Sequence, residues 1–178
     1  MMGAGRAIDP EAPATIGSLE AAESFEAFFR QESERVFRAL WFVTGNPAEA
    51  EEITQDAFLA SWERWDRVSV MQNPTGYVFQ TAMNLFRKRY RRAVLATRKV
   101  VRPTLRSDDF TAADDREVVR ATLATLTPRQ RAAIVMTDLL SFSSEETGRI
   151  LGIRAGTVRS LVAQGRQSFR MTLEVEDA

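Results

Sequence analysis

The chain of 178 residues is 44% hydrophobic, 27% charged and 9% aromatic with zero formal net charge, the composition of a folded protein with material for one ordinary domain or two small ones. It has neither cysteine nor histidine, which excludes disulfide frameworks, cysteine-ligated zinc, Cys or Ser–His nucleophilic catalysis and histidine proton shuttling; most enzyme classes fit poorly and no cofactor or metal site is expected. The longest apolar runs, Ala39 to Val43 and Ala132 to Met136, hold five residues each, against the roughly 18 of a bilayer span, and no basic segment leads into an apolar one at the amino terminus, so the expectation is a cytoplasmic protein without membrane insertion.

Residues 1–17 carry Gly, Ala and Pro without periodic apolar positions and read as a disordered tail. From Ser24, the positions Phe25, Phe28, Phe29, Val36, Phe37, Leu40 and Trp41 follow the three-and-four spacing of a helix with one broad apolar face, which Gly45 ends. Asn46-Pro47-Ala48-Glu49 supplies a cap, a proline at the first helical position and an acid at the third, so a second helix is predicted from there to about Trp65. Asn73-Pro74 repeats the signal after a short connection, and Tyr77, Val78, Ala82, Leu85 and Phe86 give a third helix its apolar side. That helix ends in the basic run Arg87-Lys88-Arg89-Tyr90-Arg91-Arg92.

Val100 to Asp115 turns from basic to acidic around a proline and marks a linker. Four helices are expected beyond it. The first carries Val119, Leu123 and Leu126; Thr127-Pro128-Arg129-Gln130 opens the second with a capping box, and Ala133, Met136 and Leu140 continue it. Ser143-Ser144-Glu145-Glu146 opens a short third that Gly152 stops, and the last carries Val158, Leu161, Val162 and Phe169. No segment alternates long enough to argue for a strand. The predicted fold is all-α, two small helical domains joined by a flexible linker: a tail at 1–17, a first domain at 18–99, a linker at 100–115 and a second domain at 116–178 containing a helix-turn-helix.

Charge is distributed unevenly along this plan. Residues 1–66 hold 13 acids and 5 bases, residues 67–107 hold 10 bases and no acid, and residues 108–178 hold 11 acids and 9 bases. An acid-free stretch of 41 residues in a chain with as many acids as bases points to a polyanionic partner. The basic run is interleaved with Phe79, Phe86 and Tyr90, which suits phosphate contact plus stacking on unpaired bases; the alternative is a solvated helix end with the aromatics in the core. Glu49, Glu52, Asp56, Leu59 and Glu63 recur at helical spacing and form one acidic face. Ser144 to Gln164 has a helix-turn-helix layout: Gly148 where crossing helices approach, Gly152 at the turn, and Leu151, Ile153, Val158 and either Leu161 or Val162 between them. Thr157, Arg159, Ser160, Gln164 and Arg166 would then point outward to a major groove, and a plain helical hairpin is the alternative.

Together these residues resemble a known family. Ala50-Glu51-Glu52-Ile53-Thr54-Gln55-Asp56-Ala57-Phe58-Leu59-Ala60-Ser61-Trp62, followed by Asn73 to Leu85 with its arginine tail, is similar to region 2 of a bacterial extracytoplasmic-function sigma factor. Leu126 to Arg131, Ser143 to Glu146 and Leu151 to Ser160 resemble region 4 of the same family. The resemblance implies a non-enzymatic promoter-specificity subunit whose partners are core RNA polymerase and promoter DNA, with an anti-sigma factor as a further candidate. It implies that Glu49, Glu52, Gln55, Asp56 and Leu59 lie on the surface that docks on polymerase. It places base capture at the minus-10 element on the loop from Asp66 to Gly76, and minus-10 contacts on Asn73, Asn84, Arg87, Lys88 and Arg91. The minus-35 contacts fall to Thr157, Arg159, Ser160, Gln164 and Arg166.

The sequence departs from the family pattern in places. Lys88 stands where an acid is common, Thr147-Gly148 replaces a usual Ile-Ala pair, and Leu161 and Gln164 stand where arginines are common. The last helix therefore lacks two phosphate contacts, and Gly165 within it costs about 1 kcal/mol relative to Ala. Two other functions remain open: a stand-alone helix-turn-helix regulator, and a sigma-like protein that sequesters polymerase.

Overall fold

The structure, a computed structural model, describes residues 16–96 and 122–176. Residues 1–15 of the tail expected at 1–17, the linker at 100–115 and the helix start around Val119 lie outside the described residues, while residues 16 and 17 belong to the first helix and not to a tail. Every regular element among those described is helical: α1 (Ile16–Thr44), α2 (Pro47–Trp62), α3 (Trp65–Val68), α4 (Pro74–Ala96), α5 (Pro128–Ile134), α6 (Ser144–Leu151) and α7 (Ala155–Glu176), with a π-helical turn at Val135–Leu139 prolonging α5. Residues 122–124 are also helical. None of these helices is long and apolar enough to cross a membrane.

The helix boundaries follow from local chemistry. Gly45 takes φ 71° after α1, and the Asn46 carboxamide accepts from the Ala48 and Glu49 amides at 3.0 and 3.2 Å, satisfying orphan donors of α2. Asn73 does the same for α4 by accepting from Gly76 N at 2.7 Å. Both predicted capping boxes form, Thr127 with Gln130 and Ser143 with Glu146. Gly152, at φ 64°, closes α6 in a Schellman arrangement: its own amide donates to Arg149 O and that of Ile153 to Gly148 O. A Cβ on Gly148 would stand 2.8 Å from the Ile153 carbonyl oxygen, so the close approach expected there is real.

Three boundaries differ from the sequence reading. Helix α1 begins at Ile16, ahead of the expected start at Ser24. Helix α2 stops at Trp62 and Trp65–Val68 forms a separate turn of helix, because Trp65 is buried against Phe25 and Phe28, its ring 5.2 and 5.1 Å from theirs. The loop expected over Asp66 to Gly76 is thereby shortened to residues 69–73.

Helices α1, α2 and α4 pack around Val36, Leu40, Ile53, Phe58, Val78 and Met83, while α5, α6 and α7 pack around Leu126, Ala133, Met136, Ile150 and Val158. The two units are in contact and share one continuous apolar cluster. Phe142 of the second meets Phe79 of the first edge to face, ring centroids 5.5 Å apart. Phe79 and Phe86 are buried, so of the two readings of the interleaved aromatics the core wins for both, and only Tyr90 among the three is exposed.

Candidate nucleic-acid interface

On α2 the acidic residues gather around a cation that the sequence reading left in the basic run. Arg89, from α4, donates through Nη1 to Glu52 Oε2 at 2.6 Å and through Nη2 to Asp56 Oδ2 at 2.8 Å. The hydrogen bond that Glu52 accepts, ahead of the one that Asp56 accepts, holds the Arg89 guanidinium above its usual range. Glu49, at the first turn of α2, is only partly exposed; burial pushes its carboxyl up, Arg89 pulls it down and Glu52 pushes it up. Gln55 is exposed and donates to Glu51. Leu59 and Trp62 are 58% and 41% exposed, giving the acidic face an apolar edge. The arrangement orients two carboxylates and offers hydrophobic contact beside them, which suits a basic, partly apolar protein partner. Arg89 belongs to this surface, and no helical periodicity could reveal it because its partners lie on another helix.

The α4 residues divide into two places. Asn84, Arg87, Lys88 and Arg91 lie within two turns of one another toward the C-terminal end of the helix. Asn73 caps the other end, roughly 15 Å or more away along the axis, so the structure does not bring it to the basic cluster. Arg87 donates to Asn84 Oδ1 and to the Leu151 carbonyl oxygen of the second unit. Burial, then the neighbouring Arg91 and Arg129, push its guanidinium below the usual range. A groove of about 890 Å³ runs between this part of α4 and the second unit, with Met83 and Phe86 on one side, Leu161 on the other, and Arg87, Arg91 and Arg129 also lining it.

On α7, Thr157, Arg159, Ser160, Gln164 and Arg166 are all exposed, with Val158 and Val162 buried behind them. They form two stripes. Thr157, Ser160 and Gln164 follow one line of the helix, whereas Arg159 and Arg166, two turns apart, follow another well round the surface. Between the stripes lie Ala163 and Gln167, both exposed and missed in the sequence reading because their residue types carry no strong signal. The two arginines are tied within the unit: Arg159 to Glu145 at 3.2 Å, and Arg166 to Asp138 through two bonds of 3.0 and 2.8 Å. Gln164 accepts from Gln130 at 3.4 Å. Leu161 is half-buried and faces the groove toward α4, not the outward line. Gly165 is buried where α7 crosses α5, and a Cβ there would collide with the Ile134 side chain.

Comparison with known proteins supplies the family. Residues 28–95 match the model for Sigma-70 region 2, and residues 116–169 match that for Sigma-70, region 4. The chain is 31% identical over 170 residues to the ECF RNA polymerase sigma factor SigE of Mycolicibacterium smegmatis, a match that covers 86% of this chain and 63% of that one. It is 30% identical over 140 residues to the ECF RNA polymerase sigma factor EcfG of Rhodopseudomonas palustris, covering 76% and 77%. Its fold is similar to that of the sigma factor RpoE co-crystallised with the anti-sigma factor NepR from Bartonella quintana, with a TM-score of 0.75 at 22% identity over 86% of this chain and 98% of that one. Two family segments in the same order, on two helical units that fold as such segments should, lead to one conclusion: the chain belongs to the extracytoplasmic-function RNA polymerase sigma factors, a family of transcription-initiation factors.

Proposed function

We propose that the protein directs core RNA polymerase to promoters, working in the cytoplasm, with its first unit opening the minus-10 element and its second docking on the minus-35 element. The observation that carries this reading is the juxtaposition of two faces of opposite charge on adjacent helices. On α2, Glu49, Glu52, Gln55, Asp56 and Leu59 present carboxylates and an apolar edge to polymerase, with Arg89 setting the carboxylate geometry. On α4, Asn84, Arg87, Lys88 and Arg91 present hydrogen-bond donors and positive charge to the DNA strand, while Asn73 borders the short loop at 69–73. A base held by such a surface must first leave the stack, so binding energy is converted into strand opening without covalent chemistry. Thr157, Arg159, Ser160, Gln164 and Arg166 of α7 contact the minus-35 duplex. An anti-sigma factor is the partner expected to hold the protein inactive.

In vitro transcription with core enzyme on pooled promoter DNA tests the reading. Specific transcripts should depend on adding the protein, and Asp56→Arg should weaken co-purification with core while leaving helix content unchanged, since the surface ion pair with Arg89 that it breaks is worth only about 0–1 kcal/mol. Specific duplex binding without core would favour a stand-alone regulator. Assembly with core but no transcript would favour a sequestering protein.

A further inference from the structure

The groove between α4 and the second unit gathers charge of one sign. Arg87, Lys88 and Arg91 enter it from α4 and Arg129 from α5, and no aspartate or glutamate among the described residues lines it. Burial, then Arg91 and Arg129, push the Arg87 guanidinium below its usual range, which is the response of a cation crowded by its own kind. Arg87 is fixed in place by its bonds to the Leu151 carbonyl oxygen and to Asn84. The crowding is sustained by packing elsewhere, such as Phe142 on Phe79, so the cations stand preorganised for an anion. Phosphate suits them best, because a guanidinium fork pairs with two phosphate oxygens at once.

Between the cations the lining is aromatic and apolar. Phe86 and Tyr90 both border the groove with ring centroids 6.1 Å apart, Phe86 buried and Tyr90 40% exposed, so Tyr90 offers a ring surface that Phe86 braces from the core. Met83, Ile153 and Leu161 extend the apolar lining. The volume of about 890 Å³ lies within the roughly 300–1,000 Å³ of small-molecule sites. Cations beside an aromatic platform call for a ligand with phosphates at one end and a flat ring at the other.

We propose that this groove binds a nucleotide carrying two or more phosphates, its base stacked on Tyr90 and its phosphates held by Arg87, Arg91 and Arg129. Tyr90 and Arg129 belong to neither the promoter-contact nor the polymerase-contact set, so the site has members of its own. Because Arg129 stands on α5 and the other members on α4, the ligand bridges the two units and its charge cancels the repulsion between their cations.

Metal-free ATP is the probe, titrated calorimetrically into the full chain, with inorganic tripolyphosphate and adenosine as the two partial ligands. ATP should bind one to one and at least about tenfold more tightly than tripolyphosphate, the gain expected of one stacked base, with adenosine weaker than ATP. Arg129→Ala should weaken both ATP and tripolyphosphate about tenfold, the loss expected of one charge-assisted hydrogen bond. Tyr90→Leu should weaken ATP alone, and Tyr90→Phe should restore it. Both side chains are exposed, and circular dichroism checks that each variant keeps its helix content. Equal affinity for ATP and tripolyphosphate would overturn the proposal and leave a non-selective anion site. Absence of ATP binding, or binding that Arg129→Ala leaves unchanged, would overturn it as well.

Discussion

The Thr147 side chain is fully buried in α6, and its hydroxyl finds no hydrogen-bond partner among the described residues. A buried hydroxyl left unsatisfied costs about 1–3 kcal/mol, and the family resemblance places isoleucine at this position. Thr147→Val should therefore raise stability, by about 1 kcal/mol in a urea titration; a loss of stability would mean that the hydroxyl has a partner. Two carboxylates give a pH dependence. The Arg166 guanidinium, helped by the Thr137 hydroxyl and opposed by burial, holds Asp138 below its ordinary value of 3.8. The Ser143 amide and then its hydroxyl hold Glu146 below 4.5. In both cases the unfolded chain takes up the proton first, so the stabilisation is complete above the unfolded value and is lost as pH falls through the folded one. Stability should hold at neutral pH and decline below about pH 4.5, and Asp138→Asn with Glu146→Gln should flatten that acid limb. An unchanged limb in the double variant would refute these assignments. At this scale the sequence disclosed which residues are charged and exposed but not how they pair. Arg89 with Glu52 and Asp56, and Arg166 with Asp138, are cross-helix pairs that no local spacing encodes.

Helix ends were the most legible elements, because Asn46, Asn73, Thr127, Ser143 and Gly152 act on backbone groups within three or four residues of themselves. The π-helical turn at Val135–Leu139 was illegible. Ala133, Met136 and Leu140 fit an ordinary helix, and the wider turn shows in the bonds from Leu140 N to Val135 O at 3.1 Å and from Phe142 N to Met136 O at 3.0 Å and in the positive φ of Ser141. Just downstream of it, Phe142 packs on Phe79 of the other unit, a long-range contact that local spacing does not encode. Gly165 was legible only as a cost. By helix propensity Gly165→Ala should stabilise α7 by about 1 kcal/mol. The new Cβ would collide with Ile134, however, and overpacking costs typically 1–3 kcal/mol. The expected outcome is net destabilisation by chemical denaturation, relieved in part by adding Ile134→Val. Stabilisation by Gly165→Ala alone would show that the crossing of α5 and α7 is looser than described.

Two units were readable from the reversal of charge and the change of motif along the chain, but their contact was not. Its members, Phe79 with Phe142 and Arg87 with Leu151, are far apart in sequence, and each residue alone reads as ordinary core or ordinary surface. The contact changes what the last helix's departures from the family pattern mean. Leu161 and Gln164 both stand where arginines are common, which treats them as equivalent lost phosphate contacts. In the structure they face different neighbours: Gln164 is exposed beside Gln130, whereas Leu161 is half-buried in the groove that Arg87, Arg91 and Arg129 line. The two restorations should therefore separate. Gln164→Arg should add one phosphate contact, steepening the log–log salt dependence of minus-35 duplex binding by roughly 0.9, with no change in the size of the free protein. Leu161→Arg should insert a fifth cation into the groove and remove apolar contact from it. Its effect should be a larger radius of gyration in scattering at low salt, diminishing as added salt screens the repulsion, with the salt slope of minus-35 binding unchanged. Circular dichroism melting of each variant confirms that the units stay folded. If Leu161→Arg steepens the salt slope as Gln164→Arg does and leaves the molecule compact, then Leu161 faces DNA and not the groove toward α4.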